Sequence, residues 1–400
     1  MPSTSEAAAA LLNAAAVRER CAIVLAAAEH GETRHFRLCL DRLDDAAARV
    51  AALTRRRFPD LRVPYHSRWR HFAAGGVDRA ALIAPRADTA EAARACIDLA
   101  IVSVLLDAGA GPGWHYGEAE TGQVVTRSEG LAVASLRAMQ QGLFSADPVN
   151  PWRADAAALM ALTPQQLGAA FQHRDDKRLA GLAERTALLR RLGEVASSDR
   201  ERFGMPARLG NLFDHWRPYR GGLPAPEILR TLLYALGPVW PGRLSLGGIP
   251  LGDCWPHPAI PADGLVPFHK LSQWLAYSLV EPLQAAGFCV TELDGLTGLA
   301  EYRNGGLFID TGVILPRDPD LPRRPLAATS EPVVESRALT VALLDRLAER
   351  VRALLGKNAA DFPLACVLEG GSWAAGREVA LERRRDGSGP LTIIADATLF

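Results

Sequence analysis

Histidine and arginine alternate with aromatic rings in PYHSRWRHF at 64–72, which sets Arg68 and Trp69 between two imidazoles. Guanidinium groups recognise phosphate or carboxylate in a planar, bidentate way, and rings supply stacking walls. The plain alternative is a surface loop anchored by Trp69. A second chemistry-bearing stretch, at 109–130, contains Trp114, His115, Tyr116, Glu118, Arg127 and Ser128 among several glycines. Glycine lets a backbone approach a ligand closely. Ser128 is placed to cap a helix starting at Glu129, and helix N-termini favour anions. The alternative is a glycine-rich connection between helices.

The third stretch runs from Asp253, Cys254, Trp255 and His257 into PFHKLSQWLAYSLVEPL at 267–283. His269 and Gln273 share a helix face, as do Lys270 and Trp274. Polar groups opening an apolar helix place its first turn at a cavity rim, with a capping role for His269 as the alternative. The fourth stretch, at 292–310, carries Glu292, Asp294 and Glu301 ahead of Tyr302, Arg303 and two glycines. Acids in turns are commonly solvated or capping. A Glu between Ala and Tyr can also be semi-buried with a raised pKa.

No phosphate-binding loop, GxGxxG, HExxH or GxSxG motif is present. Cys254 and His257 are the nearest thing to a metal set, and no second pair stands at zinc-finger spacing. Neither metal nor cofactor is therefore expected. Basic and acidic residues balance at 45 each, so no global field points to nucleic acid or an anionic membrane. The expected partner is a small molecule. The six cysteines form no CxxC pair and sit in apolar contexts, as reduced thiols do. Arg18, Glu19 and Arg20 interrupt the Ala-rich start, and no run reaches 18 residues without charge. A soluble, cytoplasmic protein is the expectation.

The elements that must hold these stretches are mostly helices. Spacing predicts helices over 5–29, 41–57, 89–108, 128–142, 155–172, 176–196, 224–236, 268–286 and 333–355. Of these, 89–108 is apolar nearly all round and reads as central and buried. Short strands are predicted at 35–40, 305–314 and 391–400. The fold class expected is mainly α with a small β-sheet, as one domain over 1–400 with a candidate linker at 315–332.

Taken together, the runs HSRWRHF, RSEGLAVAS, PFHKLSQWLAYSLVEPL, GLTGLAEYRNGGLFID, VESRALTVALLD and VLEGGSWAAGR resemble the uracil-catabolism protein 4 family over roughly residues 20–400. That resemblance implies work on a ribosyl metabolite after the uracil ring has been opened. The reaction implied is release of urea from ribosylurea or its 5′-phosphate. A more distant likeness to queuosine-salvage nucleoside hydrolases implies a helical, DNA-glycosylase-like core. Where those hydrolases carry an acid before Tyr-Arg, this chain has Glu301 before Tyr302 and Arg303. By analogy with glycosidases, Glu301 is the candidate carboxylate against the sugar, with Asp294 or Asp253 as second acid. His115 or His269 would stabilise the leaving urea. Arg68, Arg127, Lys270 and Arg303 would suit a 5′-phosphate, Tyr302 would join the substrate contacts, and Trp69, Trp114 and Trp255 would wall the pocket. All four stretches are expected to converge on one pocket. An amidohydrolase acting on the ureido group, or a non-catalytic binder of the metabolite, are the other readings.

Overall fold

Nearly every side chain of the helix Thr89–Leu105 from Ile97 onward is buried, Asp98 and Ser103 included. Such a helix needs neighbours on all sides. In this computed structural model, which describes residues 4–83, 89–111, 113–240, 244–261 and 263–394, it has them. The helices Arg127–Gln140 and Leu212–Trp216 pack against it. It lies in one of two compact units, made of residues 67–240 and 274–291. The same unit holds the hairpin His115–Glu118 with Gln123–Thr126, and the helices Leu182–Ser198 and Ala225–Leu236.

The other unit comprises residues 4–66, 244–273 and 292–394. Its spine is the 25-residue helix Glu331–Leu355, flanked by Ala14–Glu29 and Leu43–Arg57. Two-stranded ribbons decorate it. Phe36–Leu38 pairs antiparallel with Ile314–Pro316, and Cys254–Pro256 antiparallel with Leu265–Pro267. Leu326–Ala327 runs parallel to Ile393–Ile394. The 315–332 stretch thus contributes strands within this unit. The fold is mainly α with small β pieces, as the sequence implied.

Four local expectations need correction. The predicted helix over 5–29 is two helices, Thr4–Leu11 and Ala14–Glu29. Asn13 interrupts it because its side chain accepts the Ala16 amide and caps the second. The 155–172 segment likewise breaks into Ala156–Ala161 and Pro164–Ala170, where Thr163 and Gln166 form a reciprocal cap ahead of Pro164. Ser128 is not an N-cap: the helix starts at Arg127, after Thr126. The predicted strand at 305–314 is instead the helix Tyr302–Asp310, followed by a strand only at Ile314–Pro316. Of the predicted strand at 391–400, Ile393–Ile394 is found, and residues 395–400 lie outside the described residues.

Two glycines of that helix are needed by its packing. A Cβ on Gly305 would stand 3.0 Å from Thr340 Oγ1, and one on Gly306 3.3 Å from Pro390. The partner helix Trp373–Arg383 crosses it at Gly376, where a Cβ would lie only 2.1 Å from the Arg303 carbonyl oxygen. Gly376→Val is therefore expected to destabilise the protein by about 1–3 kcal/mol or more through overpacking. Gly221→Ala, at a position with open space, should change little. Urea unfolding midpoints of the two variants check this.

Candidate functional site

The ribbon Cys254–Pro256 with Leu265–Pro267 returns the chain so that Asp253 lies beside the start of the helix Lys270–Ala285. The Asp253 carbonyl accepts the Phe268 amide at 2.8 Å, and one carboxylate oxygen accepts the Lys270 amide at 3.1 Å. Arg337, from the long helix Glu331–Leu355, donates to both carboxylate oxygens at 2.9 and 2.7 Å. Trp255 Nε1 adds a fourth donor at 2.7 Å. Burial opposes ionisation of this carboxyl. The Arg337 charge and its hydrogen bonds outweigh that cost and hold Asp253 well below the usual carboxylate range. Arg337 also rests 4.1 Å from the Phe268 ring centroid and reaches the Ala300 carbonyl through Nε.

Ala300 leads into Glu301, whose side chain caps the helix Tyr302–Asp310. Its two oxygens accept the Arg303 amide at 2.9 Å and the Asn304 amide at 2.5 Å. Burial pushes the Glu301 carboxyl up from its ordinary value, and it outweighs the two backbone donors and the nearby charges of Lys270 and His66. The two acids thus shift in opposite directions, Asp253 lowered by Arg337 and Glu301 raised by burial. Lys270 contributes its backbone to one and its charge to the other.

His66 and Glu369 complete the cluster. The His66 ring Nδ1 lies 2.9 Å from Glu369 Oε2, and both side chains are largely buried. Glu369 sits in a π-helical turn, Leu368–Ser372, a wide turn common at functional sites. The turn fits against the helix Leu43–Arg57 because Gly371 has no Cβ; one there would stand 2.6 Å from the Val50 carbonyl. Ser372 then donates to Asn304, tying the turn to the Glu301 cap. Sequence reading gave no role to His66, Glu369 or Arg337. Their signal was present, since the VESRALT and VLEGGSW runs place charges inside otherwise apolar segments.

The remaining predicted residues of this unit take structural posts. His269, with φ of 48°, places Nε2 2.8 Å from the Leu11 carbonyl oxygen. Burial lowers its pKa, so the ring is neutral with the proton on Nε2 and the buried Nδ1 has no hydrogen-bond partner. Its Nδ1 can therefore accept a hydrogen bond but carries no proton to donate. Asp294 accepts from the Leu364 amide and from Arg352, each at 2.6 Å, which ties a short turn to the long helix. Arg303 donates to the Gly387 carbonyl and lies over the exposed Tyr302 ring at 4.6 Å.

From Ser67 onward, the first two stretches belong to the other unit. Arg68 is fully buried there, paired with Asp107 at 2.9 Å and bonded to Ser103, Ser128 and His71. Its guanidinium lies 5.4 Å from the Trp274 ring centroid, and Nη2 alone has no partner. Trp69 donates to the Ser278 carbonyl and Trp114 to the Phe171 carbonyl, both as core anchors. His115 stands in the hairpin opposite Thr126. Arg127 is exposed, with φ of 56°, at the first position of its helix. Ser67–Phe72, the second stretch and Trp274 onward of the third thus share one unit, while His66, the third stretch up to Gln273 and the fourth share the other.

A family model described as "Protein of unknown function (DUF1688)" matches residues 10–400. The chain is 38% identical to Protein urg3 of Schizosaccharomyces pombe (strain 972 / ATCC 24843), over 99% of this chain and 100% of that one. It is 34% identical to Uracil catabolism protein 4 of Lachancea kluyveri, over 92% and 93% respectively. The family resemblance read from the sequence runs is met over nearly the whole length.

Asp253→Asn leaves Arg337 buried without its counter-charge and should cost about 3–5 kcal/mol at pH 7. Because the folded carboxyl is depressed, its contribution is complete above the unfolded pKa of about 4 and is lost as pH falls below that. The stability gap between wild type and Asp253→Asn should therefore narrow between pH 5 and pH 3, as measured by urea unfolding at each pH.

Proposed function

We propose, starting from the fact that this chain belongs to the DUF1688 family, that it acts in uracil catabolism by hydrolysing an N-glycosidic bond. Opening the uracil ring of a ribosylated base leaves a ureido group on C1′ of the sugar. The substrate in this reading is ribosylurea or its 5′-phosphate, and the products are urea and the sugar. The name of the Lachancea kluyveri relative, Uracil catabolism protein 4, supports the pathway. The observation that carries the chemistry is the buried Glu301 carboxyl at its helix cap, raised by burial while Asp253 of the same unit is depressed by Arg337. Carboxyls pushed apart in this way are the usual basis for dividing acid and base roles.

Glu301 is the acid/base group. As the C1′–N bond breaks, its electron pair goes to nitrogen, and the Glu301 proton goes with it to release urea. The sugar is left as an oxocarbenium-like cation facing the new carboxylate. Water adds to C1′ and returns its proton to Glu301, which closes the cycle. Asp253, filled by four donors, does not reach the substrate; it is a positioning residue that fixes Arg337 and the Lys270 end of its helix. The buried Nδ1 of His269 is suited to accept a hydrogen bond from the ureido group or a sugar hydroxyl. Lys270, in the same unit as Glu301, carries charge that a 5′-phosphate would need.

Glu301→Gln should lower kcat by about 10²–10⁴-fold, since the amide keeps an acceptor oxygen for the helix cap but cannot cycle a proton. The loss of cap strength should remain within about 0.5–2 kcal/mol. Lys270→Met should mainly raise KM for the 5′-phosphate and leave unphosphorylated ribosylurea less affected. Purified protein is incubated with both compounds, and urea, reducing sugar and ammonia are assayed together. Matched release of urea and sugar supports the reading. Ammonia release would point to attack on the ureido group, and no product, or an unchanged kcat in Glu301→Gln, would overturn it.

A further inference from the structure

A second cluster lies at the start of the long helix, in the same unit as Glu301 but made of residues to which the hydrolytic reading assigns nothing. Glu331 and Glu335 are four apart on Glu331–Leu355 and so share a face. His35, just before the strand Phe36–Leu38, brings its Nε2 to 3.3 Å from Glu331 Oε1. One ligand atom from each of His35, Glu331 and Glu335 lies within 4.8 Å of the other two. His257, in the turn after Cys254–Pro256, places Nε2 3.7 Å from Glu335 Oε2, and both of these side chains are 1% exposed. Among the described residues, His35 Nε2, Glu331 Oε1, Glu335 Oε2 and His257 Nε2 are all buried atoms without a hydrogen bond. These atoms face one another in pairs without forming a hydrogen bond, and a buried polar atom left so costs about 1–3 kcal/mol. Those of His35, Glu331 and Glu335 call for an ion that they can share.

We propose that His35, Glu331 and Glu335 hold one divalent transition-metal ion of the Zn²⁺ or Mn²⁺ class, with His257 supporting Glu335. Donors bound at about 2.0–2.2 Å to a common ion stand roughly 3.0–3.5 Å apart, the spacing of His35 and Glu331. One imidazole and two carboxylates suit an ion of this borderline kind, and water would take the open positions. Glu335 is already oriented for the task. Its Oε1 accepts the His35 and Phe36 amides at 3.2 and 2.8 Å, which turns Oε2 into the cluster. The Ala259 amide donates to His257 Nδ1 at 3.2 Å, so the neutral ring carries its proton on Nε2. That N–H faces Glu335 Oε2, the outer support that metal-bound carboxylates commonly have. Arg34 lies 3.6 Å from Glu331 but is 69% exposed, so it offsets little of the paired negative charge.

This inference does not rest on the reaction assigned to Glu301, and its test reads binding. Protein stripped with a chelator is titrated with Mn²⁺ and followed by electron paramagnetic resonance of the free ion, then challenged with Zn²⁺. Mn²⁺ avoids the thiols, including exposed Cys289. One ion per chain is expected, displaced by Zn²⁺. His35→Ala and Glu331→Gln, both at partly exposed positions, should each raise the Kd at least about tenfold while circular dichroism of the stripped proteins stays unchanged. The ion should also raise Tm of the wild type and not of the His35→Ala/Glu331→Gln double variant. Failure of the wild type to bind one equivalent would overturn the proposal. So would a double variant that folds normally and binds as tightly.

Discussion

The paired hydrogen bonds between Asp253 and Arg337 fix the geometry of the whole acid cluster. A guanidinium and a carboxylate removed from water lose several kcal/mol of hydration each, and only good geometry with additional donors returns it. Here Trp255 and the Lys270 amide supply those donors, and the Phe268 ring supplies a face. The pair ties three distant pieces of chain together: the ribbon after Gly252, the first turn of the helix Lys270–Ala285 and the middle of the first third of Glu331–Leu355. Through Arg337 Nε it also sets the Ala300 carbonyl, and with it the position of Glu301. A second tie runs beside it, where the Gln273 side chain bonds to both the hydroxyl and the amide of Thr297.

Glu301 shows how one side chain serves structure and chemistry at once. As a helix cap it accepts two backbone amides, which favours its ionised form. Burial works against that and wins. The helix it caps could form only because Gly305, Gly306 and Gly376 allow a close crossing, so a segment with strand-like composition became helical. Local preference was overridden by a cap at one end and a tight contact along one side.

The other unit illustrates the opposite outcome for polar, aromatic sequence. Arg68 is the centre of a buried network with Asp107, Ser103 and Ser128. Arg79 and Arg137 similarly flank the buried carboxylate of Glu118, whose loss of hydration is outweighed by its two arginines and Thr121, leaving it at about 2. A run of arginines, histidines and tryptophans reads as a binding loop when seen alone. In three dimensions most of its donors are consumed within the fold, and Nη2 of Arg68 and Nε of Arg70 are left without a partner.

The sequence by itself determined the helical class, because periodic apolar spacing over 10–25 residues requires only local geometry. It also marked the Glu301 and Asp253 stretches, because acids and glycines in turns are visible without a fold. The family followed from long runs of identical type. Tertiary structure alone decided which acid is ionised, since that depends on Arg337, 84 residues from Asp253 in the chain. It alone brought His66 to Glu369, and His35 to Glu331 and His257 to Glu335, across separations of some 300 and 80 residues. Charge interactions depend on distance and burial, and neither is written in the order of residues.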